Sequence, residues 1–232
     1  MLNEAPLIRG FLLHLRDVAP GAEIIVVDGG SHDGTASLAE PLADSVISAP
    51  RGRGLQMNAG AAVARGDVLW FLHADLRVPR HSLREIEHAL ANQRTVGGCF
   101  RLRFPERQCI YRVSDSVGNV AVGVFGFALG DHGIFCRRAV FNQLGGYRDV
   151  PILEDAEIYR ALRRRGRMVQ LRDEIRCSPR AYLKYGPYRT TAVYFLILAL
   201  YVAGVPISRL NRIYRWFRGS AVVAASRQLA NA

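Results

Sequence analysis

Residues 23–35 read EIIVVDGGSHDGT, and the fold follows from how this stretch divides. The β-branched run 23–27 is bounded by Pro20-Gly21 and Gly29-Gly30, which predicts a short strand buried on both faces, as in parallel sheets. It stops at Asp28 and turns through glycine into a helix expected over 33–43, with Asp33 near its cap. Downstream the pattern repeats. Residues 45–48 read as a second strand and 56–64 as a helix of small residues. Residues 67–72 (DVLWFL) form an apolar strand running into His73-Ala74-Asp75, and Pro79 opens a helix to about residue 91. Such alternation predicts an α/β fold with a mostly parallel sheet flanked by helices. Further strands are expected at 96–104 and 134–137, and a helix at 154–165. Ligands of open sheets bind outside the carboxyl ends of the strands. Asp28 and Asp75 both stand at such ends.

The 232 residues, half of them hydrophobic, are enough for one substantial core and an appended element. There is no internal repeat and no low-complexity linker. Cys99, Cys109, Cys136 and Cys177 form no CxxC pair and no zinc-ligand spacing, and the chain opens without a signal-peptide pattern. A reducing cytosol with ordinary buried thiols is expected. The net charge of +11 resides mainly in the tail. After Glu174 no acidic residue occurs, whereas Arg176, Arg180, Lys184, Arg189, Arg209, Arg212, Arg215, Arg218 and Arg227 follow. The remainder is nearly balanced, as in a soluble enzyme domain.

GGSHDG does not supply the GxGxxG of a dinucleotide site, so a Rossmann dehydrogenase is disfavoured. Asp28 can accept from a ring N–H or a ribose hydroxyl, or it can cap the backbone of its own turn. Both readings stand at this level. Asp131 and His132 in the turn GDHG are expected to face the same crevice. His14, His81 and His88 lie in helical segments and receive no role.

Three ordered motifs resemble family 2 glycosyltransferases of the GT-A fold: VVDGGSHDGT (26–35), RGRGLQMNAGAAVARGDVLWFLHAD (51–75) and GDHGIFCRRAVFNQLGGYRDVPILEDAEI (130–158). The likeness extends to the small bacterial subgroup labelled arsenosugar-biosynthesis glycosyltransferases. It implies transfer of a sugar from a nucleoside diphosphate donor, with Mg²⁺ or Mn²⁺ as cofactor. Glu4, in the segment LNE, and Asp28 would line the base pocket, and Arg51 or Arg53 would approach the diphosphate. His73-Ala74-Asp75 stands where the family carries a DxD-type motif, so Asp75 would contact the metal. Glu154-Asp155 matches the family's ED motif, with Asp155 as the base of an inverting transfer. The chemistry is consistent: a hard cation stabilises the charge of the leaving diphosphate, and a carboxylate takes the acceptor proton. Family members begin with an apolar strand running into LNE. Here Met1 directly precedes Leu2, so that first strand is expected to be missing.

Residues 192–205 are apolar or small, and as a helix they extend about 21 Å at 1.5 Å per residue, short of a hydrocarbon core of about 30 Å. Full crossing is not expected. The helix packs either on the catalytic domain or a homodimer partner, or lies shallowly on an anionic membrane beside the basic, aromatic run SRLNRIYRWFRG (208–219). The expected division is a catalytic domain over 1–178 and a basic, apolar helical region over 179–232. The expected location is cytoplasmic, peripheral on the inner face of the cell membrane, with an acceptor that is lipid-linked. Nucleic acid is not an expected partner, because no RNP-like aromatic motif, zinc module or GxxG loop accompanies the arginines. The rival readings are a non-catalytic nucleotide-sugar-binding homologue and a nucleotidyltransferase of related fold.

Overall fold

Ile8, Phe11, Leu12, Leu15 and Val18 recur at helical spacing, and in the computed structural model they form the buried face of α1 (Ala5–Val18). The structure describes residues 1–230, with side chains through residue 219; Arg227 of the basic tail lies outside the described side chains. In chain order there follow β1 (Ile25–Asp28), α2 (Thr35–Ala39), β2 (Ser45–Ser48), α3 (Arg53–Val63), β3 (Val68–Trp70), β4 (Leu76–Arg77), α4 (Ser82–Ala91), β5 (Thr95–Arg103) and α5 (Cys109–Phe125). A 3₁₀ turn (Gly130–His132) leads to β6 (Phe135–Arg137), α6 (Arg138–Gln143), α7 (Glu154–Arg163), β7 (Arg167–Cys177), α8 (Arg180–Tyr185), α9 (Pro187–Val202) and α10 (Ile207–Ala230).

The α/β class is as expected, but the sheet is mixed rather than mostly parallel. β1 and β2 form a parallel pair, and the other strands run in the order β3-β6-β5-β7-β4. Within that second sheet only β5 and β7 are parallel. Alternation along the chain encodes the order of elements, not their direction. The two- and three-residue strands β4 and β6 enter antiparallel, which requires no crossover.

The two sheets share no ladder. On the free side of β1 the Met1 amino group donates to the Val27 carbonyl, and Gly29 N–H donates to the Met1 carbonyl at 2.8 Å. This is the pattern of a single parallel bridge opposite Asp28. The Gln56 amide donates to the Met1 carbonyl (2.9 Å) and to the Val27 carbonyl (3.1 Å), so these buried acceptors are satisfied from α3.

Three apolar clusters hold the layers together. One joins α1, β1, α4, β5 and β7; a second lies among β3, β6, α3 and α7. The third consists of Ala121, Phe127, Ile152, Leu153 and Ala156 with Ile197, Tyr201 and Leu210 of the tail. Arg160 lies over the Phe127 and Tyr201 rings, and the Tyr201 hydroxyl donates to Glu157 at 2.5 Å. One face of α9 is therefore packed on α7, as the first of the two tail readings required. Among the described residues no helix is long and apolar enough to cross a membrane. All four cysteines are free; Cys99, Cys136 and Cys177 are buried, but Cys109 is exposed, contrary to the expectation of uniform burial.

Candidate active site

The turn after β1 organises the first wall of the crevice. Asp28 accepts from the Ser31 hydroxyl (2.5 Å) and from the N–H groups of Ser31 (2.8 Å) and Gly30 (2.9 Å). Burial pushes its pKa up, but these bonds outweigh burial and hold it below the usual carboxylate range. Asp28 therefore caps its own turn, the second of its two readings. Asp33 accepts from Thr35 and from Ala5 N–H, so one carboxylate fastens the starts of both α2 and α1. Asn3 and Glu4 dock on the same turn through Ser31, His32 and Thr35. The segment LNE and the SHDGT turn are in this way one hydrogen-bonded unit, with Glu4 at the start of α1.

Asp75 owes its position to β4. Pairing of Leu76 with Cys177 and of Arg77 with Arg176 lays the end of β7 beside the loop after β3. The chain then turns into α8, whose first residue, Arg180, returns over the crevice. Its Nη1 donates to Glu4 Oε2 (2.9 Å), and its Nη2 donates to Glu4 Oε1 (3.2 Å) and Asp75 Oδ2 (3.0 Å). These hydrogen bonds, foremost those to Glu4, raise the guanidinium pKa further above its ordinary value. Nothing local in the sequence marks a contact across 176 residues, so there Arg180 reads only as tail charge.

Opposite lies the start of α7. Leu153, the residue before the helix, is held at φ +63°, a left-handed conformation that costs a branched residue about 1–2 kcal/mol. That bend turns Glu154 and Asp155 inward, where both are buried. Arg53 Nε lies 2.5 Å from Glu154 Oε1 as an ion pair outside hydrogen-bond geometry. Burial first, and then the neighbouring Asp155, raise the pKa of Glu154 against the pull of Arg53. Tyr147 is held over this corner by Asn58, which donates to the Tyr147 carbonyl (2.9 Å) and accepts from its N–H (2.8 Å). Burial and the field of Asp155 push the Tyr147 hydroxyl well above its ordinary pKa.

Gly130 is the point of closest approach. A Cβ built on it would stand 2.3 Å from His73 Nε2 and 2.6 Å from Asp155 Oδ2, so the chain passes between those side chains only because this position lacks one. Asp131 feels His73, Asp75, Arg53 and Asp155 at once; burial, the largest influence, raises its carboxyl pKa, as do the two aspartates. His132, next in the turn, is within the influence of Asp155. It is buried against Gly118 of α5, its Nδ1 accepts from Leu129 N–H (3.4 Å), and burial lowers its pKa to about 4. At neutral pH its ring is uncharged. Arg51 is exposed in the loop ahead of α3.

The crevice thus brings together Glu4, Arg53, Asp75, Asp131 and Asp155, with Asp28 in the adjoining turn. Among the described residues no three His, Cys, Asp or Glu side chains form a ready metal cluster. Asp75 offers hard oxygen, His73 Nε2 is buried without a hydrogen-bond partner, and Asp131 lies in the field of both. Such a donor set fits Mg²⁺ or Mn²⁺ that completes its shell with phosphate and water.

The family profile described as Glycosyl transferase family 2 matches residues 1–144. No curated protein sequence matches the chain. Among solved structures, S. aureus TarS 1-349 in complex with UDP-GlcNAc is 15% identical with a TM-score of 0.61, over 83% of this chain and 64% of that one. Glucosyl-3-phosphoglycerate synthase from Mycobacterium tuberculosis, in complex with Mn²⁺, UDP and glucosyl-3-phosphoglycerate, is 18% identical with a TM-score of 0.60, over 89% of this chain and 78% of that one. A further TarS 1-349 structure, 15% identical with a TM-score of 0.60, is spanned over 62% of its length. The likeness shows a shared GT-A fold.

Proposed function

The chain belongs to glycosyl transferase family 2, and on that premise we propose that it moves a sugar from a nucleoside diphosphate donor to an acceptor hydroxyl, with inversion and with a divalent cation. The observation that carries this reading is the approach at Gly130, where the position of a Cβ lies 2.3 Å from His73 Nε2 and 2.6 Å from Asp155 Oδ2, so the His73-Ala74-Asp75 segment and Asp155 border one place. A cation-binding carboxylate and a base carboxylate that border one crevice are the two elements an inverting transfer needs.

Asp75, with His73 and Asp131 beside it, would hold Mg²⁺ or Mn²⁺. A cation held by these residues would supply stabilisation of the charge that develops on the leaving diphosphate. Glu4 and the Asp28 turn border the side where the nucleoside would lie, and Arg53 supplies a cation toward the phosphates. Asp155 takes the acceptor hydroxyl proton from the face opposite the leaving group. UDP-linked donors are the first to test, since both TarS and the mycobacterial synthase are found with UDP compounds. In a thermal-shift series, UDP and UDP-sugars with Mn²⁺ are expected to raise Tm, because ligand binding to the folded state stabilises it. Asp75→Ala should lose the Mn²⁺-dependent part of the shift. Equal shifts in both proteins would remove Asp75 from the cation site.

We further propose that the enzyme is cytoplasmic and rests on an anionic membrane surface. On α5, Val113, Val120, Val124 and Phe125 are exposed, and on the adjacent α9 so are Phe195, Leu196 and Val202. Phe125 also lines a cleft of about 310 Å³ with Arg160, Arg163 and Arg164. On α10, Arg209, Arg212, Arg215 and Trp216 face outward. Exposed apolar helix faces next to arginines suit anionic lipid, and a lipid-linked acceptor would be reached from there. Pelleting with vesicles of phosphatidylglycerol is expected at low salt, weakening as salt rises. Full recovery in the supernatant at low salt would refute the surface assignment but not the transferase.

A further inference from the structure

Arg180 occupies the one place in the crevice where a cation already stands on Asp75. Its guanidinium spans Glu4 and Asp75 through three charge-assisted contacts of 2.9–3.2 Å. Arg180, Glu4 and Asp75 side chains are 48%, 22% and 24% exposed, so water reaches the cluster and the pairing is not sealed by burial. Two carboxylates against one guanidinium leave a net negative charge, which attracts a further cation. Helix α8 itself is fixed: Tyr182 packs against Phe104, Tyr111 and Tyr194 at centroid distances of 4.7, 5.3 and 6.2 Å. Movement at Arg180 therefore falls to its own side-chain torsions, not to the helix.

Resting on the transferase reading above, we propose that Arg180 is an exchangeable counter-ion: it neutralises Asp75 in the free chain, cedes Asp75 to the divalent cation, and transfers to the donor's diphosphate. A guanidinium and a divalent cation on the same carboxylate repel one another. The incoming diphosphate resolves the conflict, because it presents the paired oxygens that a guanidinium fork binds best. Glu4 keeps the arginine at the rim of the crevice during the exchange. The tail thus contributes a donor-binding residue and guards the cation site until a donor arrives.

The test measures cation and nucleotide binding separately, on the full chain. Free Mn²⁺ is followed by electron paramagnetic resonance, and UDP binding, with and without Mn²⁺, by titration calorimetry. Arg180→Ala is expected to bind Mn²⁺ alone several-fold more tightly, because a competitor is gone, and UDP with Mn²⁺ about tenfold more weakly, because a charge-assisted contact is lost. Arg180→Lys should restore part of the competition with Mn²⁺ but little of the UDP affinity, since an ammonium lacks the planar fork. Unchanged affinities in Arg180→Ala overturn the proposal. Equal weakening of both ligands with a lowered Tm also overturns it, by marking Arg180 as a fastener of α8. Asp75→Asn is run in parallel. If it binds Mn²⁺ like the parent chain, the cation site is misassigned and the proposal falls with it. If it loses Mn²⁺ while Arg180→Ala changes nothing, only the counter-ion role fails.

Discussion

Asp155→Asn is expected to lower sugar transfer by about 10³-fold, within the range a positioned general base contributes, while UDP binding stays within about twofold of the parent. The substitution keeps size and shape, so the buried corner formed by Asp155, Glu154 and Tyr147 remains filled. What disappears is the ability to take a proton. Some loss of stability is expected from removing a negative charge in the first turn of α7, about 0.5 kcal/mol. Against this, Glu154 is freed of a like-charged neighbour that raises its pKa. The measurement is nucleoside diphosphate release from a UDP-sugar in the presence of a membrane extract as acceptor source, alongside calorimetric UDP binding. Parent-like turnover would mean that another group takes the acceptor proton.

Gly130→Ala should cost about 10²-fold in transfer, the scale of roughly 1 Å misplacement of reacting groups, although it removes no functional group. Its Cβ would meet His73 Nε2 at 2.3 Å and Asp155 Oδ2 at 2.6 Å, distances no carbon tolerates. Both obstacles are side-chain ends that can rotate away, so the chain is expected to fold with Tm within a few degrees of the parent. Rotation, however, removes Asp155 from its working position. Retained activity would show that the crevice adapts more freely than its packing implies. Loss of the folded state would instead locate the strain in the backbone of the 3₁₀ turn.

The sequence made part of this site legible and left part hidden, for physical reasons. The run EIIVV and the DVLWFL strand carried their own signals, because a strand buried on both faces must be apolar throughout. β7 carried no such signal: RMVQLRDEIRC sets Arg172, Asp173, Glu174 and Arg176 among its apolar residues, and its partners fix it as a strand. α2 stops at Ala39, not residue 43, and α3 begins at Arg53, not residue 56. In the motif 51–75, Gln56 and Asn58 looked like ordinary helix residues. The structure shows one sealing the end of β1 and the other anchoring Tyr147. Arg180 was hidden most completely, because its importance lies in two carboxylates distant in sequence: Asp75, set beside it by the pairing of β4 with β7, and Glu4, held by the turn after β1.

The distribution of the four thiols gives the chain a native reporter. Burial pushes Cys99 and Cys136 up to about 12 and Cys177 well above its ordinary value, so at neutral pH these three resist alkylation. Cys109 alone among them is exposed, and it is the first residue of α5. A maleimide spin label or fluorophore should therefore attach at one place without any substitution, one helical turn from Val113. Its accessibility to lipid-soluble and water-soluble quenchers would give the immersion depth of that helix, turning an accident of packing into a ruler.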